Sequence, residues 1–579
     1  MTNLYASRIA ALRTMMVRQG WDAVVLTGSD PHASEYPAPR WKQVQWLTGF
    51  TGEAGDVVVT ASHAGLWTDT RYFIQAGRQL PGTGVALHKT RVPEQVLIPQ
   101  WLGEQFPGKA RIAVDGLCMT AGMAGDIAAA VPGCEIIPVP DLLSPLWADR
   151  PEMPSTPVEI LPPERVGESR ECRLARLRGW MAEHGCDGML LTALDEIAWL
   201  LNVRGRDIEY NPYVISWLLV TADAATWFVD RSVDLPGVGI RPYGAVMEAL
   251  RAFSGRLAAD PATLNVALEK AIADPLFCPS PVPLWKAVKN ETEIAAMRQA
   301  HLADGLACER FLFWLEGELA AGHAVTEWDA ACKLGSLRAE IPDYRGDSFE
   351  TISAYGEGAA LPHYVTPRGG GAVLEPHGLY LVDSGGQYLS GTTDITRTVP
   401  LGPCTPLERE DYTRVLRGHI GLARAVFPRG TAGCQIDALA REPLWEARRN
   451  FGHGTGHGVG FYLGVHEGPQ DIRQNFNTQP LLPGMVVSDE PGIYREGLHG
   501  VRHENLLLCV PDGTSEFGEF LRFEPLTLCH FDTSCIELSL LAPAERNWLN
   551  AYNARVYETL APLLDAPTAA WLHEKTREV

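Results

Sequence analysis

The stretch RIAALRTMMVRQGWDAVVLTGSD, residues 8–30, shares one pattern with RLARLRGWMAEHGCDGMLLTALD, residues 173–195. Each stretch begins with apolar residues at helical spacing, passes through a Gly-x-Asp turn and ends in an apolar run that indicates a buried strand. Alternation of helices with buried strands predicts an α/β domain. Two such stretches in one chain predict that this domain is duplicated.

Two proline-rich stretches, residues 138–164 and 274–285, divide the chain. Proline fixes φ and lacks the backbone N–H, so we interpret both stretches as linkers. Apolar spacing after the second stretch predicts a long helix, and a strand followed by a helix from Pro543 to about Leu564 is predicted after Phe523. The predicted domains are residues 1–155, 160–285 and 286–515, with a C-terminal extension at 516–579.

The composition excludes some classes of partner. The formal net charge is -21, from 49 Lys and Arg against 70 Asp and Glu, and such a field repels nucleic acid and anionic membranes. No apolar run reaches the roughly 18 to 20 residues that cross a bilayer, and residues 1–8 carry no sign of a secretory signal. The 12 cysteines form no Cys-x-x-Cys pair, so we predict single thiols in a reducing cytosol.

Two aspartates frame a predicted hairpin in GLYLVDSGGQYLSGTTDITRTV, residues 378–399. A strand-like run ends at Asp383 before a Gly-Gly turn, and Asp394 begins a second β-branched run. A hairpin of this form brings the two carboxylates together. Taken alone, the pair favours ordinary acidic residues that flank a turn.

Three histidines lie in a glycine-rich segment, FGHGTGHGVGFYLGVHEGP, residues 451–469. Glycine lets the backbone lie close to a ligand. A plain surface turn is the alternative, but three imidazoles in so short a segment favour a functional site: His453, His457 and His466.

Two glutamates follow in VVSDEPGIY, residues 486–494, and GVRHENLLLCV, residues 500–510. We expect Glu490 at the end of one strand and Glu504 inside another. A carboxylate that enters an apolar core needs a partner or a metal. A simple ion pair with Arg502 is the local alternative for Glu504.

Two aspartates, one histidine and two glutamates together form a set of donors that suits metal ions. Mostly oxygen ligands with one imidazole fit Mn, Co, Mg or Zn. Two divalent cations balance four carboxylates, whereas one does not. Two metals roughly 3.5 to 4 Å apart can share a bridging water or hydroxide, the usual hydrolytic nucleophile of such sites.

The order Asp, Asp, His, Glu, Glu resembles the pita-bread metallopeptidases, which include methionine aminopeptidases, prolidases and aminopeptidases P. The sequence is most similar to aminopeptidase P in the strings DSGGQY, GTTDITRT, HGTGHGVG, HEGP, EPGIY and VRHEN. Further strings resemble its three-domain, eukaryote-like cytosolic type: WTDTRYF, TALDEIAWLLNVRG, KAVKNETEI and RFEPLTL. The resemblance covers nearly the whole chain. It implies an α/β protein with two creatinase-like N-terminal domains, a pita-bread α+β catalytic domain and a short C-terminal extension.

The resemblance also implies an activity, that of a Xaa-Pro aminopeptidase. Such a hydrolase removes the N-terminal residue from peptides with proline in the second position, by a bridging hydroxide held between two divalent metals. The family favours Mn, and Co or Zn are possible. The implied metal ligands are Asp383, Asp394, His457, Glu490 and Glu504.

Further roles follow from the same resemblance. His363 in LPHYVTP, together with His453 and His466, is implied to bind substrate and to shuttle protons. Arg502 matches an arginine of the active-site wall and is implied to bind substrate. Glu490 and the histidines are candidates for the acid that protonates the proline nitrogen, and His453 or His466 would stabilise the oxyanion.

The sequence departs from the family pattern at His503, where an aliphatic residue is usual. Side chains alternate along a strand, so His503 is expected to point away from the metals. The implied protein is a cytoplasmic homodimer that acts on short peptides, with no nucleic acid or membrane partner. The alternatives are a prolidase restricted to dipeptides, an adaptor without catalysis, and N-terminal domains that serve as a partner-binding platform.

Overall fold

The structure is a computed structural model that describes residues 3–579. Its contacts divide the chain into two compact units. The first unit runs to Pro163 and continues over Glu168–Val282, and the second holds Glu164–Gly167 and Pro283–Val579. Among residues 3–579, no helix combines the length and apolar character that crossing a membrane requires. The predicted α/β class is confirmed.

The N-terminal part of the first unit is a six-stranded sheet with helices packed on it. Its sheet order is β4-β3-β2-β1-β5-β6. The helices are α1 Leu4–Gln19, α2 Gln43–Thr48, α3 Phe73–Gln79, α4 Ile98–Gln105 and α5 Ala121–Ala130. The strands are β1 Ala23–Leu26, β2 Asp56–Thr60, β3 Ala64–Thr68, β4 Ala86–Lys89, β5 Arg111–Asp115 and β6 Glu135–Val139.

The rest of the first unit is built around a second six-stranded sheet. Its strands are β8 Gly188–Leu191, β10 Trp217–Thr221, β11 Ala225–Phe228, β12 Gly239–Arg241, β13 Leu257–Ala259 and β14 Pro275–Phe277. Two short strands, β7 Glu159–Ile160 and β9 Val203–Arg204, pair with each other. The helices of this part are α7 Arg170–Glu183, α8 Leu194–Leu201, α9 Val246–Ala252 and α10 Val266–Glu269. Two short helices, α6 Pro163–Val166 and α11 Val282–Ala287, belong mostly to the second unit. The sheet order β12-β11-β10-β8-β13-β14 repeats that of the first sheet, including which pairs are parallel.

The predicted duplication is confirmed down to single contacts. In the first copy, Asp22 accepts a hydrogen bond from the backbone N–H of Arg111 at 2.8 Å. In the second copy, Asp187 accepts one from the backbone N–H of Arg256 at 2.7 Å. The aspartate of the Gly-x-Asp turn therefore fixes the start of the neighbouring parallel strand in both copies, which explains why it recurs.

The glycine of that turn gives a matched pair of substitutions. Gly20 and Gly185 both have left-handed backbone, with φ of 69° and 63°. An added Cβ at Gly185 meets open space, whereas at Gly20 it lies 2.8 Å from the Arg111 guanidinium. We expect Gly185→Ala to cost about 1–2 kcal/mol of unfolding free energy from backbone strain, and Gly20→Ala to cost more.

The control for this pair is Gly179→Ala, inside α7, where an added Cβ also meets open space. Alanine is the better helix former, so this change is expected to stabilise the protein. The denaturation midpoints of the three variants measure the effect. Equal midpoints for Gly179→Ala and Gly185→Ala would contradict the explanation by backbone strain.

The prediction of two linkers is wrong in part. Residues 274–285 include the edge strand β14, which pairs with β13, and the start of α11. Proline is tolerated in an edge strand because its missing N–H faces no neighbouring strand. In the first stretch, Leu142 and Leu143 are buried in the core of the N-terminal sheet. Proline content alone does not separate linkers from edge strands and buried turns.

The second unit, within the described residues, holds four sheets and the helices around them. The helices are α12 Glu291–Ala320, α13 Glu327–Ala339, α14 Pro406–Ala423, α15 Asp437–Glu446, α16 Pro543–Leu560 and α17 Ala566–Lys575. The strands are β15 Tyr344–Asp347, β16 Ile352–Tyr355, β17 Leu379–Ser384, β18 Gly386–Tyr388, β19 Gly391–Thr392, β20 Ile395–Pro400, β21 Val426–Pro428, β22 Gly456–Gly458, β23 Glu467–Ile472, β24 Val486–Asp489, β25 Gly492–Arg495, β26 His499–Arg502, β27 Asn505–Ser515 and β28 Gly518–Pro525. The long helix predicted after the second proline-rich stretch is α12, which begins at a capping box formed by Asn290 and Glu293.

Two sheets of this unit carry the residues of interest. One has the order β16-β17-β20, and the other has the order β21-β28-β27-β24-β22-β23. Between β26 and β27 the chain changes partner, because β26 pairs with β25 and β27 pairs with β24. Glu504 lies in that break, so its prediction inside a strand is wrong.

The strand predicted after Phe523 is also wrong. Strand β28 ends at Pro525, and residues 526–537 form no strand. Side chains replace a neighbouring strand as hydrogen-bond partners here. Glu309 accepts from the backbone N–H of His530, and Asn553 accepts from that of Phe531.

Candidate metal centre

Strand pairing brings three of the predicted acids together. Asp383 lies in β17 and faces Thr396 of β20, while Asp394 directly precedes β20. The Glu504 backbone N–H donates to the Thr396 carbonyl at 3.0 Å, and the Thr396 hydroxyl donates to the Glu504 carboxylate at 2.8 Å. The predicted hairpin is an antiparallel pair, as expected.

The second sheet adds His457 and Glu490. His457 lies in β22, which pairs with β24, and Glu490 directly follows β24. The His457 Nε2 atom lies 3.4 Å from Glu490 Oε1 and 3.5 Å from Asp394 Oδ2. Glycines on either side allow this approach, because a Cβ at Gly456 would lie 2.0 Å from the Ser488 carbonyl.

The five predicted ligands therefore converge on one place. Donor atoms lie within 4.8 Å of one another in the groups Asp383–Asp394–Glu504, His457–Glu490–Glu504 and Asp394–His457–His466. Asp394 and Glu504 are buried, whereas 13% of the His457 side chain and 19% of the Glu490 side chain stay exposed. The cluster is thus reached from the side of His457 and Glu490.

The carboxylates of the cluster are costly as anions in the metal-free chain. Burial, reinforced by neighbouring carboxylates, raises the pKa of Asp394 and of Glu504 well above the usual range. Burial raises the pKa of Glu490 to about 7, against the lowering effect of Arg502. Such shifts arise where like charges share a site that lacks enough positive charge.

Divalent cations fit this arrangement. The buried atoms Asp383 Oδ1 and Glu504 Oε1 accept no hydrogen bond from residues 3–579. A buried carboxylate oxygen without a partner is costly, and a metal ion would satisfy it. His457 is also oriented to bind a metal, because its Nδ1 faces the Gly458 carbonyl at 3.0 Å and its Nε2 faces the carboxylates of Asp394 and Glu490.

Arg502 lies on the wall of the cluster and is buried. Its guanidinium donates to Asp383 Oδ2 at 2.6 Å and to the Tyr494 hydroxyl at 2.7 Å. It also donates to the Thr396 hydroxyl at 3.1 Å. These contacts fix the orientation of Asp383, so the ion pair suggested for Glu504 is made with Asp383 instead.

His453 is held as a neutral ring. Burial lowers its pKa well below the usual range, and Arg502 adds to that effect. Its Nδ1 faces the Gly454 carbonyl at 2.7 Å, and its Nε2 lies 2.7 Å from the Tyr494 hydroxyl. Since Arg502 donates to that hydroxyl, Tyr494 donates to His453. His363 is near enough to lower the pKa of His453 further.

His466, which the resemblance implied only as a substrate-binding and proton-transfer residue, lies beside the metal-ligand candidates Asp394 and His457. Its ring packs edge-on against His457, with centroids 4.4 Å apart. The next residue, Glu467, forms a buried ion pair with Lys286 at 2.5 Å and accepts from the Gly464 backbone N–H at 3.1 Å. Lys286 therefore fixes the segment that carries His466.

The segment that carries His363 is fixed by Glu327, which is fully buried. Its carboxylate accepts hydrogen bonds from the Tyr364 hydroxyl at 2.8 Å and from two backbone N–H groups, those of Tyr355 and Ala372. The sequence reasoning missed Glu327, Lys286 and Tyr494. Tyr494 and Lys286 gave a signal, because Tyr494 ends the string EPGIY and Lys286 begins the string KAVKNETEI.

His503 points away from the cluster, as expected. Its ring packs edge-on against Tyr412 and Phe531, with centroid distances of 4.5 Å and 5.6 Å. The residue is fully buried. It therefore belongs to the packing beneath the metal centre.

Comparison with known families gives four consecutive matches. Residues 295–511 match metallopeptidase family M24, and residues 519–579 match the C-terminal region of peptidase M24. Residues 8–146 and 149–293 each match the creatinase/prolidase N-terminal domain.

Similar proteins span the whole chain. The chain is 38% identical to a probable Xaa-Pro aminopeptidase P of Fusarium vanettenii, over 99% of both chains. It is 36% identical to aminopeptidase P1 of Arabidopsis thaliana, again over 99% of both. The crystal structure of X-prolyl aminopeptidase from Caenorhabditis elegans, described as a cytosolic enzyme with a di-nuclear active site, matches over 100% of both chains, with a TM-score of 0.95 and 35% identity.

Proposed function

The chain belongs to metallopeptidase family M24, and we propose that it is a Xaa-Pro aminopeptidase. It would hydrolyse the bond between an N-terminal residue and a following proline. The observation that carries the proposal is the cluster of four carboxylates around His457, with two buried oxygens left without partners. The named activities of full-length relatives supply the substrate class.

We propose that two divalent metal ions bind to Asp383, Asp394, His457, Glu490 and Glu504. Two divalent cations offset the charge of four carboxylates, and the di-nuclear site of the C. elegans relative supports that number. Bound metals would acidify a water molecule and polarise the scissile carbonyl. We propose Mn as the metal, although Co and Zn tolerate the same donors.

The chain's own groups then position the substrate and move the proton. The partly exposed Glu490 borders the accessible side of the cluster, so we assign it the proton transfer to the leaving proline nitrogen. His466 lies against His457, so we assign it the oxyanion contact. Both ring nitrogens of His453 are held by the protein, so this residue orients Tyr494 and Arg502, while His363 contacts the substrate.

Tyr494 gives a test of this positioning. Tyr494→Phe removes the hydroxyl that links Arg502 to His453 and keeps the ring. We expect kcat/KM to fall roughly tenfold, equivalent to about 1.4 kcal/mol for the two lost hydrogen bonds, with unchanged metal content. The matched control is Tyr557→Phe, on α16 away from the cluster. A variant of Tyr494 that binds less metal would contradict the assigned role.

The remaining proposals rest on the relatives. We propose creatinase-like domains at residues 1–155 and 160–285, a catalytic domain at 286–515 and a C-terminal extension at 516–579, which the four family matches support. A cytoplasmic location is supported by the cytosolic C. elegans enzyme. A homodimer acting on short peptides, without nucleic acid or membrane partners, completes the proposal.

The test of the substrate class uses three peptides. Metal-loaded protein is incubated with Arg-Pro-Pro, Arg-Ala-Pro and the dipeptide Arg-Pro, and released arginine is measured. We expect cleavage of Arg-Pro-Pro and no cleavage of Arg-Ala-Pro. Cleavage of Arg-Pro alone would indicate a prolidase, and no cleavage of any peptide by folded, metal-loaded protein would favour an adaptor.

A further inference from the structure

Two cysteines that are far apart in the sequence meet in the second unit. Cys404 directly precedes Thr405, the N-cap of α14, and Cys535 lies in the segment between β28 and α16. Each thiol alters the pKa of the other, so the two side chains are neighbours. The Cys404 thiol donates to the carbonyls of Gly378 and Gly402, with Sγ–O distances of 3.6 Å. Cys535 belongs to a cluster of buried apolar side chains, and Cys404 packs against that cluster. All 12 cysteines are free thiols, so this pair is in the reduced state.

Both thiols line a cavity of about 520 Å³. Its wall is apolar where Leu312, Leu315 and Leu319 of α12 lie. Its charged lining residues are Arg409 and Lys575 together with Glu316 and Asp532, which both pair with Lys575. Cys404 is half-buried, whereas Cys535 is buried. A small molecule that enters the cavity therefore meets Cys404 first.

The surroundings give the two thiols different reactivities. The neighbouring Cys535 thiol lowers the pKa of Cys404, and Arg409 adds to this effect against burial, Glu408 and Asp532. The N-terminus of the 18-residue helix α14 lies beside it and also favours a thiolate. The Cys404 thiol, together with burial, raises the pKa of Cys535. Cys404 is thus the nucleophile of the pair.

We propose that Cys404 and Cys535 form a thiol–disulfide exchange site for small-molecule disulfides. The Cys404 thiolate attacks one sulfur of the disulfide, forms a mixed disulfide and releases one thiolate, which takes up a proton. The Cys535 thiol then loses its proton to solvent and attacks the Cys404 sulfur, releasing the second thiol. The small molecule is reduced to two thiols, and the protein pair is oxidised to an intramolecular disulfide.

The closed pair would reinforce an existing contact. Arg409 of α14 already donates to the backbone carbonyls of Ser534 and Ile536. A disulfide between Cys404 and Cys535 joins the same two segments covalently and constrains the unfolded chain. The oxidised protein is therefore expected to unfold at a higher temperature, with the metal cluster unchanged.

Glutathione disulfide serves as the probe, on the full-length, metal-loaded protein. We expect the number of titratable thiols in denaturant to fall from 12 to 10, and a cross-linked peptide pair that contains Cys404 and Cys535. The variant Cys535→Ser should trap one glutathione on Cys404, and Cys404→Ser should form no cross-link. Cys434→Ser removes a half-buried cysteine elsewhere and should behave as the wild type.

The cross-linked peptide pair is sought in the wild-type protein itself, so the test still holds if one of the variants fails to fold. Twelve remaining thiols would overturn the proposal. So would glutathione found only on the exposed Cys172 and Cys332. A disulfide that leaves the unfolding temperature unchanged would overturn the inferred link between α14 and the segment around Cys535.

Discussion

Replacing Glu504 by glutamine is expected to lower kcat/KM on the order of 1,000-fold, equivalent to about 4 kcal/mol of transition-state stabilisation. The amide keeps the size of the side chain, and its oxygen can still accept from Thr396. It removes one of the four negative charges and the buried Oε1 acceptor that the chain leaves without a partner. The loss is therefore one of metal binding and not of folding.

Thermal unfolding separates these two effects. Burial and neighbouring carboxylates make the Glu504 anion costly without metal, so metal-free Glu504→Gln is expected to unfold no earlier than metal-free wild type. Added Mn should raise the unfolding temperature of the wild type more than that of the variant. Glu496→Gln, an exposed acid in the turn between β25 and β26, is the matched control. Equal stabilisation of Glu504→Gln by Mn would contradict the role of this residue.

Replacing Arg397 by methionine is expected to lower the unfolding free energy by about 4 kcal/mol or more, because several buried carbonyls lose their donor. The Arg397 guanidinium is buried and stacks on Phe531 at 4.0 Å. It donates to the backbone carbonyls of Thr396, Glu504, Cys529 and His530, and to the side chains of Asn505 and Tyr552. The Arg397 side chain thus links the segment after β28 to Glu504, the residue that precedes β27.

Chemical denaturation and limited proteolysis measure this effect. We expect a lower denaturation midpoint and new cleavage within residues 526–537, because that segment has no strand partner. Arg397→Lys keeps the charge but has fewer donors in a different geometry, so it should recover only part of the stability. Arg577→Met, at an exposed site near the C-terminus, is the control. Wild-type stability of Arg397→Met would show that the carbonyls find other donors.

The features that the sequence predicts best depend on local patterns. The duplicated helix–turn–strand units follow from apolar spacing and from Gly-x-Asp turns, which are both short-range patterns in the sequence. The convergence of Asp383 with Asp394 follows from one hairpin. Their convergence with His457 and Glu490 joins two different sheets, which no local sequence pattern shows. Only the family resemblance implied it.

The features that the sequence misses depend on contacts between distant segments. Glu504 lies in a break between strands because β26 and β27 pair with different partners, which an apolar run does not reveal. The segment after β28 forms no strand because Arg397, Glu309 and Asn553 bond its backbone. The contact of Cys404 with Cys535 likewise has no local signal.

The central claim is that the cluster around His457 is a two-metal hydrolytic centre. The most direct measurement is a titration of metal-free protein with Mn, in which bound metal and cleavage of Arg-Pro-Pro are followed together. The account predicts no cleavage without metal and full activity at two bound ions per chain, and it predicts that Glu504→Gln neither binds two ions nor reaches that activity. Full activity of the chelated protein, or of the Glu504→Gln variant, would contradict it.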